Sequence, residues 1–260
     1  MIFQKEKYLG LGLFLFLSFI FYSCQSGKKE VDSLRFEPKL LEKDSCLGNE
    51  CTRVRLAYPY FVGDGESSDF LNAHVEQQMV MFLNIGESQE IVPLDSAVSS
   101  FLNSYLEFKK EFDSPQEWEI TVDAKVTLQC QKMICIAFDT FSFTGGAHPN
   151  SYRMYLNFDL NKNSPVKNED LVLDKANLMR LAESKFKKYY DVDELTSLSE
   201  DNRFFLENGK DFFLPAAMGF EDEEFVLYYN PYEIGPYVMG PTELRFTMEE
   251  VKGLVRIPCE

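Results

Sequence analysis

The sequence predicts an α+β body, an antiparallel sheet with helices packed on one face. Two observations carry the prediction. From Trp118, apolar residues recur at every second position through Ile120, Val122, Ala124, Val126, Leu128 and Cys130. That period, with polar residues between, marks a long half-buried antiparallel strand. Before it, Val98, Phe101, Tyr105, Phe108 and Phe112 follow at steps of three and four, an apolar helix stripe that faces a core.

The remaining elements follow in chain order. Val54, Leu56 and Tyr58 alternate with Arg53, Arg55 and Ala57 as a short strand that Pro59 is expected to end. Gly63 and Gly65 mark a loop, after which Ser67 or Ser68 can cap a helix carrying Leu71, Val75, Met79 and Phe82. The Val98 helix starts at Asp95 or Ser96. Ile134, Ile136 and Phe138 form the strand after the Trp118 run. A three-residue connection, Gln131 to Met133, would pair Cys130 with Ile134 and Val126 with Phe138, keeping all apolar side chains on one face. In that register Cys135 points away from Cys130, so no bridge between them is expected. Tyr152, Met154, Leu156, Phe158 and Leu160 give the next strand, with a turn over Asn161 to Pro165. A helix begins near Asp174 with Leu178, Leu181, Ala182 and Phe186 inward, and residues 191–210 read as short helix and loop. Phe212 to Leu214 and Phe225 to Tyr229 read as strands around the acidic turn Glu221–Glu224. Leu244 and Phe246 make a last strand, and Met248 to Leu254 a closing short helix.

The start of the chain sets the expected compartment. Lys5 and Lys7 precede an apolar run from Leu9 to Tyr22 of about 14 residues, followed by Ser23 and Cys24. A spanning helix needs about 20 residues, so the run reads as a signal peptide over 1–23. Ser23-Cys24 resembles the lipobox of bacterial lipoproteins, which makes Cys24 the expected lipidation site and the membrane a partner through the lipid. Gln25 is unlike the Asp that retains lipoproteins at an inner membrane, so the expected localisation is the cell envelope at an outer membrane. Cleavage would leave 237 residues, enough for a sizeable core. Residues 24–45 are polar and read as a tether, followed by two lobes, 46–163 and 164–260, that share a core.

The formal net charge of −16 repels phosphate backbones and argues against nucleic acid as a partner. It favours a basic partner through electrostatic steering, or solubility alone. Beyond Cys24 stand Cys46, Cys51, Cys130, Cys135 and Cys259. Cys46 and Cys51 enclose the turn-like Leu-Gly-Asn-Glu and are the favoured disulfide, since an exported chain retains such bonds. The separation of four residues within each cysteine pair is not the two typical of zinc sites. No metal or cofactor is expected.

Two segments carry a family resemblance. Phe143-Thr-Gly-Gly-Ala-His148-Pro-Asn150, followed by Tyr155-Leu-Asn-Phe-Asp-Leu160, resembles the signature of the domain of unknown function numbered 4163. Tyr229-Asn-Pro-Tyr-Glu-Ile-Gly-Pro-Tyr237 with Gly240-Pro-Thr-Glu resembles the unknown-function domain numbered 3298, which usually adjoins it. The pairing spans roughly residues 50–258. Relatives of this pairing include the extracellular part of a lysozyme-sensing anti-sigma factor and the non-catalytic region of a peptidoglycan deacetylase. The resemblance implies an envelope setting with lysozyme or cell-wall glycan as ligand. The sequence carries no sigma-binding segment and no deacetylase domain with Asp and His metal ligands.

Read from the residues, Gly145 and Gly146 supply positive-φ backbone for a tight turn. His148 is a base, a ligand or a residue that locks the loop. The tyrosine-rich, proline-stiffened segment Asn230–Tyr237 suits recognition of protein or sugar faces, or serves as a stiff cover over the core. The candidate binding residues are therefore Gly145, Gly146, His148, Asn150, Tyr232, Glu233 and Tyr237. No Gly-x-Ser-x-Gly elbow, His-Glu-x-x-His pattern or phosphate-cradling loop is present, so no catalytic residue is assigned and the expectation is that the chain is not an enzyme. The leading expectation is a lipid-anchored envelope binding protein for a lysozyme-like basic protein or peptidoglycan. A structural or assembly lipoprotein is the alternative, and a glycan-acting enzyme built on His148 the third.

Overall fold

The computed structural model describes residues 34–63, 65–84, 92–112, 114–257 and 259. Residues 1–23, expected to be a signal peptide, and Cys24 lie outside them. A long hairpin opens the fold, β1 (Arg35–Leu47) and β2 (Glu50–Val62), joined at Gly48 and closed by a Cys46–Cys51 disulfide. Helices α1 (Glu66–Leu83) and α2 (Leu94–Glu111) follow. The chain then enters β3 (Glu119–Gln129), β4 (Met133–Phe143), β5 (Asn150–Asp159) and the short β6 (Ser164–Val166). These six strands form one sheet in sequence order. Its pairings are antiparallel except β2 with β3, which run parallel. The α1–α2 segment is the crossover that a parallel pair requires. After α3 (Asn168–Leu171) and α4 (Lys175–Tyr189), a second, three-stranded antiparallel sheet is built from β7 (Ala217–Glu221), β8 (Glu224–Tyr229) and β9 (Thr242–Thr247).

The apolar stripes read from the sequence face the core except at Phe112, which was expected in the α2 stripe but caps the end of that helix and is 55% exposed. Leu71, Val75 and Met79 of α1 and Val98, Phe101 and Tyr105 of α2 pack with Val54, Leu56, Ile120, Val122, Ile134, Ile136 and Phe138 on one face of the large sheet. The continuous apolar run of β4 has a second consequence. Met133, Cys135 and Ala137 point the opposite way and are equally buried, in a second cluster with the small sheet and α4. The β4 strand is therefore covered on both faces.

Several expectations are corrected. The stretch expected to be a tether is strand β1 from Arg35 onward. Most of its side chains are exposed, so no buried face imposes a period on them; the ladder to β2 and the ion pairs Lys39–Glu76 and Lys43–Asp95 hold it. Pro59 does not end β2, because β3 pairs with β2 only over Arg53–Ala57 and no neighbour on that side needs the missing N–H. Neither Ser67 nor Ser68 caps α1; Gly65 occupies that position and the Ser67 hydroxyl donates to Asn163 instead. Pro93 precedes α2, which starts at Leu94. Phe212–Leu214 is irregular, with β7 starting at Ala217, and 248–254 is a series of turns.

The β3–β4 register also differs. Val126 pairs with Ile136 but Leu128 pairs with Cys135, so an irregularity at Thr127 shifts the strand by one residue. A bulge of this kind turns every following side chain to the other face. Leu128 and Cys130 thus join the cluster that contains Cys135, and the parity that set Cys130 and Cys135 on opposite faces does not hold.

The two sheets come into close contact at Gly219 of β7. A β-carbon there would stand 2.6 Å from two ring atoms of Tyr155 on β5, and real contacts of that kind are not tolerated. Tyr155 is itself fixed by its hydroxyl, which donates to Glu221. Gly219→Ala is therefore expected to cost about 1–3 kcal/mol by overpacking, read as a lower urea midpoint with an unchanged slope. An unchanged midpoint would show that the sheets can part without penalty.

Candidate functional site

The β4–β5 connection, residues 144–149, meets the segment that follows β8. Gly145 and Gly146 both have positive φ, 99° and 104°. Gly145 is further constrained, since a β-carbon there would lie 2.8 Å from the Gln116 side-chain oxygen, while the Gln116 amide donates to the Gly146 carbonyl. This turn presents His148. The imidazole stacks on Tyr237, with ring centroids 4.1 Å apart and planes 17° from parallel. His148 Nδ1 lies 3.1 Å from the Pro149 carbonyl, which can only accept, so Nδ1 carries the proton. Nε2, 3.1 Å from the Tyr232 hydroxyl, then accepts. Tyr237 donates its own hydroxyl to the same Pro149 carbonyl.

Tyr232 has a left-handed backbone, φ 69°, and is half exposed. Its placement is over-determined by its neighbours. The buried Asn230 side chain accepts from the Arg153 N–H at 2.7 Å and donates to the Arg153 carbonyl at 2.9 Å. It thereby occupies the edge of β5 that β6, paired only with residues 157–159, leaves open. Glu233 accepts from the Asn230 and Ala216 N–H groups, so it braces the loop. Tyr229, just before the loop, is buried and donates to the Phe213 carbonyl; burial pushes its phenol well above the ordinary range.

The structure thus brings His148, Tyr232 and Tyr237 into one aromatic group, with Gly145 and Gly146 shaping the turn and Glu233 supporting the opposing loop. Asn150 is exposed at the start of β5, and its side chain is not among the contacts of this group. Sequence reasoning missed Gln116, Asn230 and Tyr152. Tyr152 is partly exposed on β5 and lies within electrostatic reach of Glu233; burial of the rest of its ring raises its phenol. Asn230 was legible as part of the resembling segment, but only tertiary pairing reveals its role as an edge clamp.

Beside this group lies a charged cluster between the sheets. Arg153 reaches Asp139 at 2.6 Å, Glu243 at 3.2 Å and Glu221 at 3.6 Å, and stacks over Tyr228. Arg245 contacts Glu221, Glu224, Asp222 and Glu243. The hydrogen bond to Asp139 raises the Arg153 pKa above its ordinary value. The cluster has more carboxylates than guanidinium groups, and each carboxylate has an arginine partner. Among the described residues no group of three or more His, Cys, Asp or Glu is arranged to hold a metal ion.

Residues 46–151 match the family described as deacetylase PdaC, and residues 169–249 match the protein family of unknown function DUF3298. The peptidoglycan-N-acetylmuramic acid deacetylase PdaC of Bacillus subtilis (strain 168) is 21% identical over 173 residues, covering 63% of this chain. The match takes in 36% of that enzyme, so the chain spans about a third of the curated relative. Two solved DUF3298 family structures share the fold. One, from Bacteroides fragilis NCTC 9343, has a TM-score of 0.66 at 20% identity, covering 86% of this chain and 94% of that one. The other, from Pseudomonas aeruginosa PAO1, has a TM-score of 0.65 at 20% identity, covering 86% and 95%. The chain therefore joins a PdaC-matching segment that supplies His148 to a DUF3298-matching segment that supplies Tyr232 and Tyr237, and the aromatic group forms where the two meet.

Proposed function

We propose that this chain is a lipid-anchored protein of the cell envelope that binds peptidoglycan glycan without turning it over, using the His148–Tyr232–Tyr237 group. The observation that carries the proposal is the stacked, hydrogen-bonded aromatic group with Tyr232 half exposed. Rigid aromatic faces with polar edges suit sugar rings, and pre-organisation lowers the ordering cost of binding. Both nitrogens of His148 are engaged by protein partners, which fits a positioning residue better than a general base. The similarity of residues 46–151 to a peptidoglycan deacetylase supports the envelope setting. Lipidation of Cys24 and an outer-membrane location complete the proposal.

The test is co-sedimentation of the full chain with purified peptidoglycan. Tyr232→Asn keeps a residue type that tolerates positive φ and is expected to weaken binding about tenfold to thirtyfold, the loss of a central aromatic contact. Unchanged affinity would remove Tyr232 from the binding surface. The negative charge of the chain and the carboxylate-rich cluster beside Arg153 favour a second reading, a basic protein such as a lysozyme. That reading predicts binding at low salt that fades at high salt and is insensitive to Tyr232→Asn.

A further inference from the structure

We propose that Cys130 and Cys259 form a second disulfide, which staples the C-terminal end of the body to the β3–β4 hairpin. The bulge at Thr127 is what makes it feasible. Without it Cys130 would face the helix side of the sheet; with it Cys130 turns to the side on which the C-terminal segment packs.

A set of contacts leads the C-terminal segment to that hairpin. The Cys130 N–H donates to the Met133 carbonyl at the tight β3–β4 turn. Met133 pairs with Asp159 across to β5, and the Leu160 N–H donates to the Lys132 carbonyl. Asp159 accepts from the guanidinium of Arg256 at 2.6 Å, and the Arg256 N–H donates to the Leu171 carbonyl. Cys259, three residues on, has the Cys130 side chain as an interaction partner of its thiol. Cys130 is half-buried and Cys259 exposed, so one partner remains open to an oxidant. Cys135 is buried completely, and its sulfur accepts from the Phe220 N–H. Burial pushes its thiol up to about 11 and closes its sulfur to an oxidant in solution, and that lack of access makes it the poorest competitor of the three.

The chemistry is two successive thiol–disulfide exchanges with a small-molecule disulfide as oxidant. The Cys259 thiol loses its proton and its sulfur attacks one sulfur of the oxidant, forming a mixed disulfide and expelling one small thiolate. Cys130, deprotonated in turn, attacks the Cys259 sulfur, forming the Cys130–Cys259 bond and expelling the second small thiolate. The two protons released protonate the two thiolates, and the oxidant is reduced by two electrons. Although Cys259 is exposed as a residue, partial burial of its sulfur and then the contact with Cys130 push its thiol up to about 12, so uncatalysed exchange begun at Cys259 is expected to accelerate as pH rises.

The test uses the full chain treated with oxidised glutathione, alkylated, and digested with trypsin without reduction. Cleavage after Lys125, Lys132 and Arg256 isolates Val126–Lys132 and Ile257–Glu260, each with one cysteine. The expected result is near-complete conversion to a disulfide-linked pair of these two peptides, lost on reduction and absent in Cys259→Ser. Oxidised Cys259→Ser is expected to melt on the order of 5 °C below the oxidised wild type. Recovery of the two peptides as glutathione adducts, as alkylated thiols, or linked to other cysteines would overturn the proposal. So would a linked pair whose loss leaves melting unchanged, since a staple between packed segments must raise it.

Discussion

Phe186→Ala is expected to lower the stability of the folded body by about 3–5 kcal/mol. Phe186 is completely buried on the inner face of α4. Its ring is the hub of the cluster beneath the small sheet, with centroids 4.8 Å from Tyr190, 4.9 Å from Phe204, 5.3 Å from Phe212 and 5.8 Å from Tyr229. Those neighbours are rings with two side-chain torsions each, held by further contacts, so they cannot flow into the space left behind. Incomplete collapse is what adds a cavity term to the lost transfer energy. The consequence reaches the site, because Tyr229 immediately precedes the Asn230 clamp and the Tyr232 loop. Urea unfolding should show a lower midpoint at unchanged slope, with Phe186→Leu giving a smaller loss. A change under about 1 kcal/mol for the alanine variant would mean that the cluster repacks freely and does not anchor the loop.

How far such features were legible depended on whether one element or two elements define them. The α2 stripe and the Trp118–Val126 alternation announce themselves, because burial on one side imposes a period that a single segment records. Strand β1 records nothing of the kind. Its side chains are largely exposed and its order comes from backbone bonds to β2, so polar composition misled. The β4 run Met133-Ile-Cys-Ile-Ala-Phe138 did contain a signal for burial on both faces, a continuous apolar stretch, and it implied a second layer that alternation alone did not. The Thr127 bulge was not legible, since register is a property of two strands. At the site, His148, Tyr232 and Tyr237 were singled out by residue type and local stiffness. Their stacking was not, because they are brought together by the clamp of Asn230 on Arg153 of β5, a pairing across 77 positions.

Arg256→Ala is expected to destabilise the body by about 2–4 kcal/mol near neutral pH. The side chain of Asp159 is almost fully buried, 2% exposed, and its carboxylate accepts from the Asn161 and Lys162 N–H groups at one oxygen and from Arg256 at the other. Removing one partner of a buried pair costs about 3–5 kcal/mol because the remaining charge stays in a poor dielectric; the figure is reduced here because the Arg256 side chain is 35% exposed. Burial by itself would push the Asp159 carboxyl up, but the hydrogen bond from Arg256 and those from the backbone outweigh it and hold the group below its ordinary value of 3.8. The sign follows from linkage. A depressed folded-state pKa contributes stability above the ordinary value, and that contribution disappears as pH falls through the folded value. In Arg256→Ala the carboxyl keeps its burial and loses its cation, so its pKa rises and it protonates more readily on acidification. The gap between wild type and variant should therefore be widest near pH 7 and close as pH falls below about 4. A double-mutant cycle gives an independent check. Asp159→Asn removes the charge while retaining an acceptor for the two backbone N–H groups, so Arg256→Ala should cost much less in that background than in the wild type. A gap that does not change with pH, together with additive single variants, would place the contribution of Arg256 in its packing and its backbone bond to Leu171, leaving Asp159 stabilised by the turn alone.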